Sequence, residues 1–505
     1  MTGSPPRPGS LDGQPVAGPP KHSTPPPDSR PPTVSRVCVI GAGATGVSAA
    51  LQLVDAGWSG SVTVVDPRPI GGVVWGDADP DVLANSGAAL HSLFPDRPGE
   101  FTAYLHAQGL ADQNDFPRRS HVGDYCRQRF RDYQELAARR GTTLEYVAAR
   151  VTAIRTARAA GGHVIELADG RVLPASRVLV CTGFASPVVP DLVSDMVGHP
   201  ALTATPYPTA ALRAAVPARA RVLVLGMGNS AIDAVRILCR DGHTVTMSSR
   251  TGELPAVRSR SGLHPDPVDL RRVRDLSIDD PLLRHKLARI CIEAMRRVDR
   301  RPLRRQLSGE TDPVRRLRDE VRLCQEGAAP WQDVTISLLE ELYQWLPDQP
   351  QEAAEQLLAA HRDVLRRRLS AMSLPNARSL LTHLDRKELR ISTRSVESVR
   401  HVTASWRITW ADGEQESFHH VVCACGFNKP YLYHHGSRIH LENPPPGSLP
   451  VTSLAADQRV RVAGRALDIW IIGAGAHVRM RLNDFMRNNT LQARNVIAQL
   501  RIMRA

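Results

Sequence analysis

The stretches "VCVIGAGATGVSAA" (37–50) and "VLVLGMGNSAIDAV" (222–235) carry one pattern twice: an apolar run, a glycine turn, and the start of a helix. An apolar run without alternation is a strand buried on both faces, which requires a mostly parallel sheet covered by helices. "SVTVVD" follows the first helix and "TVTMSSR" the second, so each forms a βαβ unit. The fold class is therefore α/β, with two Rossmann-like dinucleotide-binding domains.

In the first unit Gly41, Gly43 and Gly46 form G-x-G-x-x-G, with Ala44 opening the helix. The first glycine permits the tight turn, the second lets a pyrophosphate approach the backbone, and the third lets helix and sheet pack closely. Asp66 ends the next strand, 25 residues after Gly41, where a carboxylate accepts hydrogen bonds from an adenosine ribose. The second unit has Gly226 and Gly228, then Asn229 and Ser230, and its second strand ends in Ser248, Ser249 and Arg250 with no carboxylate. Hydroxyls and a guanidinium suit a 2′-phosphate, which an acid would repel. The pattern points to FAD in the first unit and NADPH in the second, with hydride passing from nicotinamide to flavin.

The rest of the chain is divided accordingly. Residues 1–35 hold eleven of the 39 prolines and read as a disordered tail. The first part of the FAD-binding domain is placed at 36–215 and the NADPH-binding unit at 216–262. The FAD part includes a helix over "VGDYCRQRFRDYQELAARRG" and alternating strands in "EYVAARVTAIRTA" and "HVIELADGRVLPA". A helical insertion occupies 263–382, remaining strands of the two domains fill 383–430, and the FAD-binding domain closes over 431–505. The NADPH domain thus interrupts the FAD domain.

Composition excludes several functions. The net charge of +13 could attract nucleic acid, yet nearly all the excess is arginine, a skew that GC-rich coding also produces. Within 284–318, twelve basic residues stand against four acidic ones with no aromatic residue interleaved for base stacking, so the run reads as a solvated helix face. Neither nucleic acid nor membrane is expected as a partner, and no apolar run is long enough to span a bilayer. Most of the eight cysteines sit in apolar runs, which suits a reducing, cytoplasmic setting. Cys423 and Cys425 form a C-x-C with no second ligand pair nearby, so both read as packing residues on one strand face, and no metal site is expected. A homo-oligomer is left open.

These motifs resemble the two-dinucleotide-binding-domain flavoproteins, and within them the FAD/NAD(P)-binding class related to flavin-dependent N-hydroxylating (amino-acid) monooxygenases. "VDPRPIGGVVWGDADPDVLANSGAALHSL" is similar to that class's segment after the first acid, which would lay Gly71, Gly72 and Asn85 along FAD. "FPRRSHVGDYC", "CTGF" at 181–184, "PWQDV" and "AAHRDVLRRRL" extend the likeness over most of 36–500. By the same resemblance Val151, Thr182, Gly183 and Gly475 are cofactor contacts, while His477, Asn483, Asn488 and Asn489 follow a sheet strand where a closing helix would point its N-terminus at the flavin, and are expected to contact FAD there. The phenylalanine-glycine-histidine signature of flavin monooxygenases is degenerate in "MVGHPALTATPY", and "GAGAH" lacks the glycine-aspartate pair of many flavoprotein reductases. No Cys-x-x-Cys pair is present for dithiol chemistry.

The resemblance implies a monooxygenase in which NADPH reduces FAD, molecular oxygen adds at flavin C4a, and the hydroperoxide passes one oxygen to a primary amine of a small amino-acid-like substrate. Aspartate, in specialised metabolism, is the specific candidate. The protein would bind, orient and exclude water, so no acid-base residue is assigned. Arg118, Arg119, Arg258 and Arg260 are the candidates for a substrate carboxylate. The alternatives are an FAD-containing NADPH oxidoreductase without oxygen insertion and a flavin-binding scaffold.

Overall fold

The computed structural model describes residues 35–113, 115–157, 162–259, 268–480, 482 and 485–502. The tail expected at 1–35 lies outside them up to residue 34, as do Arg260 and Asn483. Two parallel sheets organise the rest. The first has the order Arg459–Val462, Arg465–Ile471, Arg177–Val180, Arg36–Ile40, Ser61–Asp66, Thr143–Ala148, parallel except at its first pair. The second runs Leu389–Ser392, Thr244–Ser248, Arg221–Leu225, His420–Cys423, Leu202–Thr203, parallel throughout.

Two elements fall on the other side of the divisions drawn from sequence. Leu202–Thr203, assigned with 36–215, pairs with Val421 and Val422 in the second sheet, and Leu212 and Val216 pack in that sheet's core. "EYVAARVTAIRTA" is not one alternating strand. Thr143–Ala148 joins the first sheet, and after a break Val151–Ala157 starts an antiparallel sheet with Gly162–Leu167 and Val172–Ala175. Alternation alone cannot reveal such a change of sheet.

The helices of the insertion build one core with the second unit. Ile290, Leu317, Val321, Trp331, Val334, Leu342 and Trp345 pack with Val222, Val224, Ala231 and Val235. Local chemistry sets the helix starts. The Asp312 side chain accepts from the N–H groups of Val314 and Arg315, with Pro313 in the first turn, and Ser373 caps Leu374–Asp385 through the Asn376 N–H. Several of the insertion's arginines are ion-paired at its surface, Arg316 with Glu253 and Arg318 with Asp385 among them.

Two connections join the units, and they run against each other. Ala185 N donates to Asn428 O (3.0 Å), Asn428 N to Ser186 O (2.9 Å), and Val188 N to Gly426 O (2.9 Å). A buried polar clasp holds the units from another side. Residues 82–84 bond to 117–119 through Ala84 N to Pro117 O (2.8 Å) and Arg119 N to Val82 O (2.9 Å), which fixes the backbone of Arg119. Its guanidinium donates to Tyr207 Oη at 2.9 Å and to Leu83 O at 3.1 Å, and lies 2.9 Å from Asp233 Oδ2. Tyr207 donates to the same carboxylate. Asp233 belongs to Asn229–Arg240, the helix after the second glycine turn. Nearby, Asp77 accepts from Thr209 N (2.8 Å) and Oγ1 (2.5 Å), and Arg240 grips Asp79 with both terminal nitrogens, at 2.8 and 2.9 Å.

Burial opposes the charge on Arg119, and Asp233 and Tyr207 more than restore it, so its pKa is raised. A charge so enclosed requires its partner. Asp233→Ala should destabilise the protein by about 3–5 kcal/mol, because it strands a buried guanidinium, whereas joint replacement by Arg119→Met and Asp233→Leu should cost clearly less than the two single changes together. Thermal denaturation of Asp233→Ala, Arg119→Met, Asp233→Leu and the double variant measures this, and additive losses in the last three would show that the two groups do not act as a pair.

Candidate active site

The two glycine turns are built alike. Gly41 N donates to Val65 O at 2.8 Å and Gly226 N to Ser248 O at 2.7 Å, tying each turn to the neighbouring strand. Gly41 and Gly226 have φ of 109° and 126°. A Cβ on Gly41 would lie 2.4 Å from Cys181 O, and one on Gly226 would lie 2.3 Å from Ala424 O. Only glycine satisfies both the conformation and the contact. The second glycine of each turn differs, because a Cβ on Gly43 or Gly228 would meet nothing within 4 Å. The space above those positions is open, and each helix that follows, Ala44–Asp55 and Asn229–Arg240, has no acidic residue in its first turn. Open space before a helix N-terminus free of carboxylates fits a pyrophosphate.

The structure gathers much of the remaining first site around this turn. Gly71 N donates to Ala42 O at 2.9 Å, and a Cβ on Gly72 would lie 3.3 Å from the Gly43 Cα, so the Gly71–Gly72 segment lies along the turn. Thr182 and Gly183 follow Cys181, whose N–H bonds Ile40 O at 2.7 Å, and thus flank Gly41. From the C-terminal segment, Gly473 N donates to Gln492 Oε1 at 2.9 Å, and a Cβ on Gly473 would lie 3.3 Å from Thr45 and 3.6 Å from Asn489. Asn85 Oδ1 and Asn489 Oδ1 are buried without a hydrogen-bond partner among the described residues. Buried acceptors of this kind call for a donor, and a bound cofactor with ring N–H and ribose hydroxyls supplies such groups.

Asp66 has a structural task as well. It is buried, with Oδ2 accepting from Ala42 N (2.9 Å) and Oδ1 from Arg68 N (2.8 Å), so it braces the glycine turn. A carboxylate has about four lone-pair sites, which leaves acceptor capacity for a ribose. His91 is held within the fold, with Nδ1 paired to Gly87 O at 2.9 Å, Nε2 to Ser86 Oγ at 3.1 Å, and its ring against Trp75. Burial pushes His91 down to about 4, so this ring is neutral at physiological pH.

Several other sequence-assigned residues also make contacts within the fold. Val151 is buried beneath the first sheet with Ile40 and Val65. A Cβ on Gly475 would come within 2.8 Å of the Ile471 side chain. Asn488 donates its amide to Leu482 O at 2.9 Å and accepts the Tyr343 hydroxyl on its carbonyl at 3.0 Å, so Asn489 rather than Asn488 faces the turn. His477 Nε2 lies 3.0 Å from Pro430 O. In the second site Asn229 Nδ2 donates to Ser370 O at 2.8 Å and Ser230 is half-buried. Ser248 is committed to Arg394 O at 2.8 Å, Ser249 Oγ accepts from Gly252 N at 3.1 Å, and Arg250 is exposed.

Of the arginines expected from sequence to meet a carboxylate, only Arg118 is exposed among the described residues. Arg119 is enclosed by Asp233 and Tyr207, and Arg258 is buried with its Nη2 donating to Arg368 O and Leu369 O at 2.7 and 3.0 Å. The C-x-C does not lie on one strand face: Cys423 ends its strand buried, and Cys425 lies past it, exposed, donating to Leu225 O at 3.2 Å. No cluster of metal-ligating side chains occurs among the described residues, and no helix there is long and apolar enough to cross a membrane. Sequence reasoning missed Tyr207, Asp233, Gln492 and Tyr343, which carry no spacing motif and gain their roles through contacts distant along the chain.

Residues 38–185 match a family model described as FAD-NAD(P)-binding. No curated protein sequence matches. Among solved structures, the chain is similar to the reduced form of an ornithine hydroxylase from Pseudomonas aeruginosa, at 17% identity over 94% of this chain and 100% of that one, with a TM-score of 0.57. It is similar to an ornithine N-hydroxylase from Kutzneria sp. 744, solved with reduced FAD, NADP+ and L-ornithine, at 15% identity over 94% and 100%, with a TM-score of 0.58. A cadaverine monooxygenase from Erwinia amylovora, bound to FAD, is 13% identical over 93% and 94%, with a TM-score of 0.57. At these identities the likeness is one of fold, two dinucleotide-binding domains included.

The contrast between the glycines gives a direct test of the first turn. Gly43→Val should yield a folded but colourless protein, since its side chain enters open space that the cofactor needs, whereas Gly46→Val should fail to fold because a Cβ there would lie 1.9 Å from Gly41 O. Circular dichroism and flavin absorbance separate the two outcomes. Full flavin content in Gly43→Val would place the pyrophosphate elsewhere.

Proposed function

We propose that this chain is an FAD- and NADPH-dependent monooxygenase that N-hydroxylates a primary amine of a small amino-acid-like substrate. One observation carries the reading: two parallel units repeat the same turn, a glycine wedged against a carbonyl and then a glycine facing open space. A protein with two such cradles suits two dinucleotides, and chemistry between them is a redox exchange. Support for oxygen transfer to nitrogen comes from the fold shared with enzymes named as an ornithine hydroxylase, an ornithine N-hydroxylase and a cadaverine monooxygenase.

In this reading Gly43, Ala44 and the Gly71–Gly72 segment hold the FAD pyrophosphate, Asp66 the ribose, and Asn85 and Asn489 supply acceptors to the rest of the cofactor. Gly228, Asn229, Ser249 and Arg250 hold NADPH. Bound FAD, once reduced by NADPH, supplies the chemistry that activates molecular oxygen and delivers one atom to the amine. The chain's own groups bind, orient and exclude water. No acid-base residue is assigned.

Aspartate remains the specific candidate substrate. Of the described candidates Arg118 is left for its carboxylates, because Arg119 and Arg258 are engaged within the fold, and Arg260 lies outside the described residues. The amine is therefore the better supported half of the substrate.

An amine must be unprotonated to attack oxygen, so turnover should rise with pH toward a plateau set by the bound amine's pKa. Heavy oxygen supplied as the gas should appear in an N-oxygenated product when amines and amino acids are screened by mass spectrometry. If NADPH is consumed with every amine yet only hydrogen peroxide forms, the protein is an NADPH oxidoreductase without oxygen insertion. A yellow protein that leaves NADPH untouched would be a flavin-binding scaffold.

A further inference from the structure

The helix Arg362–Leu369 carries Arg366, Arg367 and Arg368 in its last turn, and each meets a different neighbour. Arg367 is ion-paired with Glu320. Arg368 lies over the Trp331 ring, 4.9 Å from its centroid. Arg366 is exposed and donates from Nη2 to Thr251 Oγ1 at 2.9 Å, and no carboxylate pairs with it among the described residues. A hydroxyl leaves a guanidinium's charge uncompensated and most of its five donors unused.

The position of Thr251 gives that charge a meaning. Thr251 directly follows Ser249 and Arg250, just past the end of the strand Thr244–Ser248 in the second unit. Shortly after Arg366, Ser370 O receives the Asn229 amide at 2.8 Å, at the first residue of the helix after the second glycine turn. Residues 366–370 therefore reach from the strand end to the helix start of one βαβ unit. Those are the places where the adenosine ribose and the pyrophosphate of a dinucleotide lie. Asn229 Oδ1, buried and without a partner among the described residues, leaves an acceptor at the helix start.

We propose that Arg366, carried in by the helical insertion, is a second guanidinium for the 2′-phosphate of NADPH and, with Arg250, selects it over NADH. This rests on the second unit being the NADPH site. Arg250 adjoins Thr251 in sequence and Arg366 reaches it by a hydrogen bond, and a phosphate can accept from two guanidinium forks at once. The insertion then has a task at the cofactor, besides covering the second sheet.

The test uses the flavin-loaded protein and two fragments without nicotinamide: 2′,5′-ADP, which carries the 2′-phosphate, and 5′-ADP, which lacks it. Calorimetric titration should show wild type binding 2′,5′-ADP more tightly. Arg366→Ala should weaken that binding roughly ten- to a hundredfold and leave 5′-ADP unchanged, with Arg366→Lys recovering part of the loss. If Arg366→Ala weakens both fragments equally, or neither, Arg366 does not read the phosphate and the proposal is overturned while the NADPH site stands. If wild type itself does not distinguish the fragments, the NADPH reading of the second unit fails.

Discussion

At Gly41 and at Gly226 the backbone passes so close to the carbonyl of a neighbouring strand end, Cys181 O and Ala424 O, that a side chain carbon would lie 2.4 or 2.3 Å from oxygen. That approach is the constraint on which the rest depends. It draws the first turn onto the strand Arg177–Val180 and the second onto His420–Cys423, and it aims the following glycine at open space. The two closing strands come from opposite ends of the insertion logic: one precedes the second unit, the other follows the helices. Each cradle is complete only when remote chain segments have joined its sheet.

Relative placement of the cradles is a separate problem, and charge resolves it. Helix Asn229–Arg240 serves the second turn at its N-terminus and the interface along its length. Asp233 meets Arg119 and Tyr207, and Arg240 meets Asp79. Burial pushes Asp79 up, and the Arg240 fork more than reverses it, so the carboxyl sits below its usual range and the pair stays charged. Paired charges enclosed in protein are sensitive to geometry, which suits a role in registering one unit against the other.

The insertion touches both units. Its core is shared with the second sheet, while Tyr343 from Trp331–Trp345 reaches Asn488 O and Arg487 pairs with Glu340 at 2.8 Å. Those contacts secure the start of the closing helix Met486–Ile502, the segment that brings Asn489 beside Gly473. A stretch that reads in sequence only as basic and helical thus braces the edge of the first cradle.

By itself the sequence determined what is local. The two turns, their buried strands and the helices that follow depend on neighbours a few residues away, and periodicity and glycine spacing record such neighbours faithfully. Asp66 and the difference between it and Ser249–Arg250 were legible for the same reason, since each ends a strand of known position. Tertiary structure decided what depends on distant partners. It moved Leu202–Thr203 to the second sheet, enclosed Arg119 and Arg258, turned Asn488 inward and Asn489 toward the turn, and carried Arg366 to Thr251. An arginine's letter is the same whether it ends in solvent, on a carboxylate or beside a cofactor. Which of these it meets is set by long-range packing, and no spacing along the chain encodes that choice.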